Sequence, residues 1–582
     1  MAVFTGDAAF GSTTFAGDAW FRSAFFGGTA GFGAVTFGGD AWFRGAEFRR
    51  DAGFGSADFT RGAVFESVTF AGDVVFDRAN FSGTSEFMSA VFAGTAWFYS
   101  ATFGGDAVFE LATFDEPAMF DSATFTTDAW FVSADFNGDA VFVSATFNGR
   151  AGFRRTTFNR DAMFASAVFA GEARFYSAAF RGTAGFVSAV FAGDASFGSA
   201  SFRGTVDFRS ATFKKEPLLG PLVCEGTVDL SGASFTSPIS VVVAARRVEF
   251  QRTRWEQKAT VSLRYAEADL TDAVCEYPLV IVGTQRPFVT DSATAVDESV
   301  LAGVPERARV LSLRGVDAAH VVLTDMDLSA CLFAGTIHLD QLRLEGDCVF
   351  APAPSGIHQR GRLLPLRHAR RRTLAEEQHW RATGPGANPG WLAAPPSAEV
   401  VQPSTLAAVY RALRKAYEDS SYEPGAADFY YGEMEMRRAD SGAGKAERGL
   451  LTAYWALSGY GLRAARALGW LLAAVAVTML VMMLWGLPRQ GTPALSTGTV
   501  IGHRITLTTD DPAPANPQGP LTRRLTSERF EKSLRVVVNS VIFRSSGQDL
   551  TTTGTYTEMA SRLTEPVLLG LAALALRSRI KR

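Results

Sequence analysis

The sequence predicts a solenoid of very short β-strands followed by helices, and three observations support this fold class. Phenylalanine recurs from Phe4 to Phe213 with spacings that alternate between six and five residues, and all 39 positions of this lattice are Phe. The residue two positions before each lattice phenylalanine is small, and it is Ala in 32 of the 39 cases. Near the other end of the chain, the 21 residues 467–487 carry no charge, which indicates a helix long enough to cross a membrane.

An α-helix does not explain the eleven-residue period of the lattice, although eleven residues complete three turns at about 3.67 residues per turn. Steps of five and six residues rotate a helical side chain by roughly 140° and 240°, so the rings would not form one apolar stripe. In an extended segment, each Phe and the small residue two positions earlier share a face. We therefore expect the rings to stack inside the solenoid. The predicted inward stack includes Phe4, Phe10, Phe15, Phe21, Phe103, Phe109, Phe142, Phe147, Phe208 and Phe213.

The A-x-F-x-x unit, as in residues 140–144 and 145–149, resembles the pentapeptide-repeat family, whose fold is a right-handed quadrilateral β-helix. This chain departs from the family in carrying an added residue on every second side, which predicts 22 residues per coil instead of 20. At about 4.8 Å per coil, ten coils would form a rod on the order of 45–50 Å long. In the longer gap, the second residue after Phe is Gly in 14 of 19 units, and we expect a positive φ there.

Changes of composition predict eight segments along the chain. Beyond Phe213 the lattice continues with Leu219, Cys224, Leu230, Phe235 and Val241 at its centres, and we expect it to dissolve over 245–255 and an irregular insertion near 283–308. The predicted segments are regular repeats (1–241), degenerate coils with the insertion (242–350), a Pro/Gly/Arg-rich linker (351–403), a juxtamembrane helical hairpin and interfacial helix (404–466), transmembrane helix 1 (467–487), an extracytoplasmic loop with a re-entrant segment (488–555), transmembrane helix 2 (556–576) and a basic cytoplasmic tail (577–582).

Charge and exposed aromatic residues indicate which kind of partner the chain binds. The whole chain has a net charge of −3, which argues against a general nucleic-acid binder, whereas residues 1–213 carry 22 acids and 14 arginines. The acids divide between two opposite edges of the coil, and charge at exposed edges keeps a solenoid soluble. The alternative interpretation is that the acidic rod mimics DNA. Trp20, Trp42 and Trp130 share one phase of the 22-residue coil and should point outward, as part of a face for a protein partner.

The sequence predicts no catalytic, cofactor or metal site. It has no P-loop, no G-x-G-x-x-G after a strand and no G-x-S-x-G, and its Ser and Asp recur at the corners of the repeat. The four cysteines are widely spaced without C-x-x-C, which favours free thiols in a reducing compartment. The window that holds His320, Cys331, His338 and Cys348 lacks the tight spacing of a zinc site.

Residues 467–487 would form a helix of about 31 Å, which spans a bilayer. Trp470 and Trp485 stand near its ends as interfacial anchors, and Arg463 and Arg466 precede it. The positive-inside rule then places the rod in the cytoplasm, at the inner membrane of a bacterial cell. Because the last residues are also basic, we expect an even number of crossings and a second span over 556–576, although its charged residues make that span costly.

One apolar span, an outer segment, the apolar stretch 534–543, a Thr/Gly turn and a final segment follow one another in the last part of the chain. This order resembles that of a two-helix ion-channel pore module. Thr552, Thr553 and Gly554 then occupy the filter-like position, whereas Thr555 and Tyr556 replace the Tyr-Gly that would continue a potassium filter.

These observations predict a membrane-anchored scaffold that presents a cytosolic β-helix to a protein partner, which the sequence does not identify. The first alternative is an oligomeric, channel-like protein gated through the β-helix, and the second is a DNA mimic acting on a topoisomerase. A lipid bilayer and a second copy of the chain are expected contacts, and nucleic acid is not. Because the repeats begin at residue 2, we expect either end-to-end association or a true start further upstream.

Overall fold

The computed structural model describes most of the chain in two compact units, Met1–Tyr422 and Glu423–Arg582. The first unit contains the solenoid and two helices that follow it, and the second unit contains the remaining helices. The residues described are 2–215, 218–289, 295–354, 357–359, 365–367, 370–383, 390–396, 398–420, 422–488, 495–510, 515–542 and 549–580.

The solenoid is a four-sided coil of two-residue strands, which confirms the predicted fold class. The strands of its first coil are Val3–Phe4, Ala8–Ala9, Thr14–Phe15 and Ala19–Trp20, and equivalent strands recur every 22 residues as far as Thr212–Phe213. Each strand pairs in parallel with the equivalent strand of the next coil, so that Phe4 aligns with Phe26. The solenoid completes about 15 turns.

The phenylalanine rings fill the axis of the coil. The ring of Phe109 lies 4.7 Å from that of Phe87 and 4.9 Å from that of Phe131, with nearly parallel planes, and it meets the ring of Phe98 edge to face at 5.6 Å. From Phe26 onward, every lattice phenylalanine is at most 1% exposed. In the first coil, all four rings stack on the second coil alone; Phe21 is buried, and three rings are half-buried: Phe4, Phe10 and Phe15.

The corners correct the predicted role of glycine. Positive φ occurs in the five-residue gaps, as at Ser122 and Ser144 (φ 55° and 56°), and not at the glycines of the six-residue gaps. Those glycines lie against the preceding coil, since a Cβ at Gly171 would come within 2.1 Å of the carbonyl oxygen of Gly149. Close approach of successive coils therefore explains the glycines, and serine adopts the left-handed conformation.

Aspartates at the corners connect successive coils. The Oδ1 of Asp51 accepts a hydrogen bond from the backbone N–H of Asp73 (3.1 Å), and the Oδ1 of Asp73 accepts one from Thr95 (2.9 Å). At the opposite edge, the Oδ1 of Asp128 accepts one from the N–H of Arg150 (2.8 Å). These carboxylates satisfy corner amides that lie outside the short strands.

The lattice continues through 245–255, where the sequence predicted that it dissolves. Phe235 aligns with Trp255 and Trp255 with Cys275, so the coil has shortened from 22 residues to 20. The ring of Trp255 is fully buried and stacks 4.3 Å from that of Phe235. The strands here are Leu218–Asp229, Ser234–Phe235, Ile239–Glu249, Arg254–Trp255, Ala259–Arg264, Glu267–Asp269, Val274–Cys275, Leu279–Gly283, Arg309–Ser312, Val321–Thr324 and Arg343–Glu345.

An insertion separates Leu279–Gly283 from Arg309–Ser312, where the sequence predicted one. It contains the 3-10 helix Ser299–Leu301, and the side chain of Leu301 packs against Val223 and Ala244. Its residues 290–294 lie outside the described part of the chain. Two further 3-10 helices follow, Ala318–His320 and Leu339–Gln341.

Part of the predicted linker instead covers the last coil. Helix α1 (Ala375–Thr383) and helix α2 (Pro403–Asp419) form a C-terminal cap, in which the ring of Tyr417 contacts that of Phe350 at 6.3 Å. The linker prediction is therefore wrong over 371–383; residues 384–389 lie outside the described residues. Antiparallel strand pairs precede α1: Ala351–Pro352 with Arg372–Thr373, and Ile357–Gln359 with Pro365–Arg367.

A buried ionic cluster holds the cap together. The carboxylate of Glu377 is fully buried and accepts hydrogen bonds from Arg371, from Arg381 (2.6 Å) and from the hydroxyl of Tyr410. Burial opposes the ionisation of Glu377, but the two guanidinium groups outweigh it and lower its pKa to about 2. The neighbouring Glu376 accepts from the backbone N–H groups of Phe333 and Ala334 in the last coils, and burial raises its pKa.

The second unit consists mainly of helices. Two of them are long and apolar enough to cross a membrane, by length and composition: Ala464–Gly486 and Thr552–Arg577. The segment predicted as an extracytoplasmic loop contains a β-hairpin and a helix, and its residues 489–494, 511–514 and 543–548 lie outside the described residues, as do Lys581 and Arg582 of the basic tail. The elements are α3 (Glu423–Ala439), α4 (Lys445–Ser458), α5 (Ala464–Val481) with a π-helical turn (Met482–Gly486), strands Leu495–Ile501 and Arg504–Asp510, a 3-10 turn (Leu521–Arg524), α6 (Ser527–Ile542) and α7 (Thr552–Ile580).

Candidate interaction surface

The residue that directly precedes each lattice phenylalanine points out of the solenoid, because neighbouring strand residues face opposite sides. On one side of the coil these outward residues are apolar in five successive turns, and we call this set the Trp97 ladder. Direct strand pairing aligns each member with the next. The Trp97 ladder comprises Val75, Trp97, Met119, Val141 and Met163.

The Trp97 ladder is partly open to solvent. Trp97 is 39% exposed and Tyr99, in the same coil, is 46% exposed, whereas Val141 lies close to the backbone and is buried. Four inter-coil steps at about 4.8 Å each give the ladder a length of roughly 19 Å. A straight apolar strip of this kind on a rigid support matches the features of a protein-binding surface.

Acidic residues flank the Trp97 ladder. Of the ten residues that stand two positions before or after a ladder member, five are aspartates and none is Lys or Arg. Among them, burial raises the pKa of Asp121, partly offset by a backbone hydrogen bond. The flanking aspartates are Asp73, Asp77, Asp121, Asp139 and Asp161. The strip is therefore apolar along its centre and negative along its edges.

The face predicted from sequence is divided in the structure. Trp20 and Trp42 stack with their rings 5.3 Å apart, and the guanidinium of Arg22 lies over both rings. Trp130 shares their side of the coil, but it lies four coils beyond Trp42 and covers Gly152, where a Cβ would come within 2.6 Å of its ring. The structure therefore brings two of the three tryptophans together.

Sequence reasoning missed the Trp97 ladder, although its pattern is present in the repeat. The middle residue of A-x-F, read every 22 residues from Val75, gives V, W, M, V and M. The phase of Trp20, Trp42 and Trp130 contains three tryptophans, whereas that of the Trp97 ladder contains one. On the side of the three tryptophans, the charged residue Glu86 interrupts the outward row.

The four cysteines are buried inside the first unit as free thiols. Burial raises the pKa of Cys224 and of Cys275 to about 12, so neither thiol ionises near neutral pH. No group of three or more metal-binding His, Cys, Asp or Glu side chains occurs among the described residues. His338, one of the residues weighed as a zinc ligand, is exposed and lies 3.0 Å from Asp317 through its Nδ1.

The filter-like residues are helical in the structure. Thr552, Thr553 and Gly554 form the first turn of α7, and a Cβ at Gly554 would lie 2.4 Å from the carbonyl oxygen of Gly486. The carbonyl of Thr553 accepts a hydrogen bond from the Thr557 hydroxyl (2.8 Å). Because filter carbonyls must line an ion path in a non-helical loop, these residues do not form the predicted filter.

The predicted membrane anchors lie at the two ends of the first apolar helix. Arg463 directly precedes α5, and the guanidinium of Arg466 donates to the backbone carbonyl of Trp455 (2.9 Å). The indole N–H of Trp470 donates to the carbonyl of Ala456 (3.1 Å), and Trp485 lies in the π-helical turn at the opposite end. Both indole rings are more than 40% exposed, as side chains at a membrane interface would be.

Comparison with known proteins identifies the repeat. The family model described as "Pentapeptide repeats (9 copies)" matches the chain over residues 32–80, 76–124, 120–168 and 131–179. All five members of the Trp97 ladder lie within these matches. No curated protein and no solved structure matches the chain.

Proposed function

We propose that this chain, whose residues 32–179 match pentapeptide repeats, is a membrane-anchored scaffold that binds a protein partner along the Trp97 ladder. The observation that carries the proposal is the register of the ladder, which aligns five outward apolar side chains on a rigid β-support. The described residues show no cluster of metal-binding groups, and the buried thiols offer no nucleophile near neutral pH. These findings favour a binding role.

The chemistry of the surface defines its partner. A protein segment that is apolar along one side and carries Lys or Arg beside that side would cover the ladder and face the flanking aspartates. Tryptophan and methionine are enriched at protein interfaces, and complementary charge increases the rate of association. A nucleic acid is not expected on this surface, since the flanking aspartates would repel its phosphates.

In this function the solenoid would lie on the cytoplasmic side of a bacterial inner membrane. Two apolar helices support membrane anchoring, and the arginines around the start of α5 support this orientation. A channel function has less support, because the residues at the filter-like position are helical.

Site-specific photocrosslinking in native membranes tests the partner surface. We expect a photoreactive residue at Met119 of the full-length chain to label a protein, and mass spectrometry should map the adduct to an apolar segment with adjacent Lys or Arg. The same probe at Val108, an outward residue on another side of the coil, should label the protein less than a tenth as efficiently. Replacing both Asp121 and Asp139 by Asn should weaken labelling from position 119 and reduce its sensitivity to salt. Equal labelling from positions 119 and 108 would contradict the assignment.

Membrane fractionation tests the anchor separately. The full-length chain should remain in the membrane pellet after a high-salt wash and should dissolve only in detergent. Replacing Leu472 and Val477 of α5 by Arg should shift most of the chain to the soluble or aggregated fraction, because charges in a span are costly. The matched change Ile505→Arg in the hairpin should leave the distribution unchanged. Recovery of the unaltered chain in the soluble fraction would refute membrane anchoring without bearing on the Trp97 ladder.

A further inference from the structure

A groove of about 500 Å³ lies between α5 and α7, the two candidate membrane spans. Seven of its ten lining residues carry a hydroxyl group, four of which are used below: Thr478 of α5 and Thr557, Ser561 and Thr564 of α7. In an apolar solvent, such a concentration of hydroxyl groups requires polar partners.

Four of the seven hydroxyl groups in this groove donate their protons inside the protein, among them Ser561, which donates to the carbonyl of Glu558 (2.9 Å). Thr557 donates to the carbonyl of Thr553 (2.8 Å), and Thr564 donates to the carbonyl of Ala560 (2.9 Å). Thr478 donates to Oε1 of Glu565 across the two helices (2.8 Å). Since a hydroxyl has one proton and two lone pairs, these oxygens can offer further ligands only acceptor positions. The part of the groove around these four hydroxyl groups therefore suits a group that donates hydrogen bonds or carries positive charge.

Glu565 lies beside the groove, because its carboxylate accepts the hydrogen bond from Thr478, which lines the groove. Its side chain is fully buried, Oε1 accepts from Thr478, and Oε2 has no hydrogen-bond partner among the described residues. The other acid on this face, Glu558, pairs with Arg562 four residues later (2.7 Å). A buried carboxylate without a counter-charge is costly, so Glu565 requires a cation or a proton from outside the described side chains.

We propose that Glu565 and the hydroxyl oxygens of Thr478 and Ser561 form a binding site for a monovalent metal cation, of the class of Na⁺ or K⁺. One carboxylate balances one positive charge, whereas calcium sites in proteins use several carboxylates, and no cluster of three acidic or other metal-binding side chains occurs among the described residues. Thr478 connects the two parts of the site, since it lines the groove and bonds to the carboxylate. This inference goes beyond the scaffold role and does not depend on it.

Thermal unfolding of the full-length chain in detergent tests the site. At pH 8 and constant ionic strength, replacing choline chloride by NaCl or KCl should raise the unfolding temperature by several degrees, and the rise should saturate with concentration. An unfolding temperature that is the same in all three salts would overturn the proposal. So would a temperature that depends on pH but not on the metal ion, because Glu565 would then bind a proton.

Variants assign the effect to this site. Glu565→Gln and Thr478→Val should abolish the response to Na⁺ and K⁺, whereas Thr478→Ser, which keeps the hydroxyl, should retain it. Glu558→Gln removes a charge two turns away on the same helix and should retain the response, although it lowers the overall stability by leaving Arg562 unpaired. If Glu565→Gln cannot be purified, Thr478→Val and Thr478→Ser still test the site. An equal rise in unfolding temperature with Na⁺ or K⁺ in these two variants would overturn the proposal.

Discussion

Replacing Phe109 by Ala should lower the free energy of unfolding of the solenoid by about 3–5 kcal/mol, the cost typical of removing a buried aromatic ring. The ring of Phe109 is fully buried and stacks on Phe87 and Phe131, so its removal leaves a cavity between three coils. The neighbouring coils cannot close that cavity, because their own rings and strands are fixed in the 22-residue register. Guanidinium unfolding of the full-length chain in detergent, followed by circular dichroism, measures the loss.

The neighbouring residue supplies the control for this experiment. Val108 lies on the same strand but faces outward, and Val108→Ala should change the unfolding free energy by about 0.5 kcal/mol or less. Because solenoids unfold by nearest-neighbour loss of coils, the Phe109→Ala variant should also unfold over a broader denaturant range. Equal midpoints for the two variants would show that the ring stack does not stabilise the rod.

Acidification should destabilise the C-terminal cap through Glu377. The pKa of Glu377 is about 2 in the folded protein, against 4.5 for a glutamate in the unfolded chain, so the stabilisation is complete above about pH 4.5 and is lost as the pH falls from there towards 2. A difference of this size corresponds to about 3 kcal/mol. Glu377→Gln should destabilise the cap by about 3–5 kcal/mol at pH 7, because the buried Arg371 and the adjacent Arg381 lose their counter-charge.

The adjacent Glu376 gives the opposite expectation and serves as the control. Burial raises the pKa of Glu376, so its contribution to stability is largest at low pH and declines as the pH rises above the unfolded value. Glu376→Gln keeps an oxygen that can accept from the amides of Phe333 and Ala334, and it should therefore cost little at pH 7. Hydrogen exchange of the α1 and α2 amides across pH 3–7 distinguishes the two variants. Loss of protection in both alike would contradict the assignment of charge.

The repeat made the solenoid predictable, whereas the cap was not predictable from local sequence. Phe and Ala positions in an eleven-residue period fix the inward face without any knowledge of distant contacts. The cap depends on Glu377 meeting Arg371 and Tyr410, and the latter lies 33 residues away in the sequence. The composition of that segment, rich in Pro, Gly and Arg, favoured a linker. The cap forms through tertiary contacts of a few charged and polar residues, and local composition does not reveal such contacts.

The candidate interaction surface was predictable only in part, for a similar reason. Outward orientation follows from strand alternation, so the exposure of Trp20 could be predicted. Which outward residues form one continuous row follows from the four-sided coil, and the row through Trp97 becomes visible only when every fourth repeat is aligned. The corner glycines show the same limit, because the contact of Gly171 with Gly149 joins residues a full coil apart.

The count of 22 residues per turn, which holds from Phe4 to Phe213, has a consequence for how this part of the chain can change in length. Removing or duplicating one whole turn keeps every Phe above a Phe and every corner Asp above a corner, whereas one residue inserted within a strand would turn the ring of that strand away from the axis. Gene changes in steps of 66 nucleotides would thus lengthen or shorten the protein by about 4.8 Å each. Solenoids built from copies of one turn would therefore differ in length while presenting the same side chains on their outer faces.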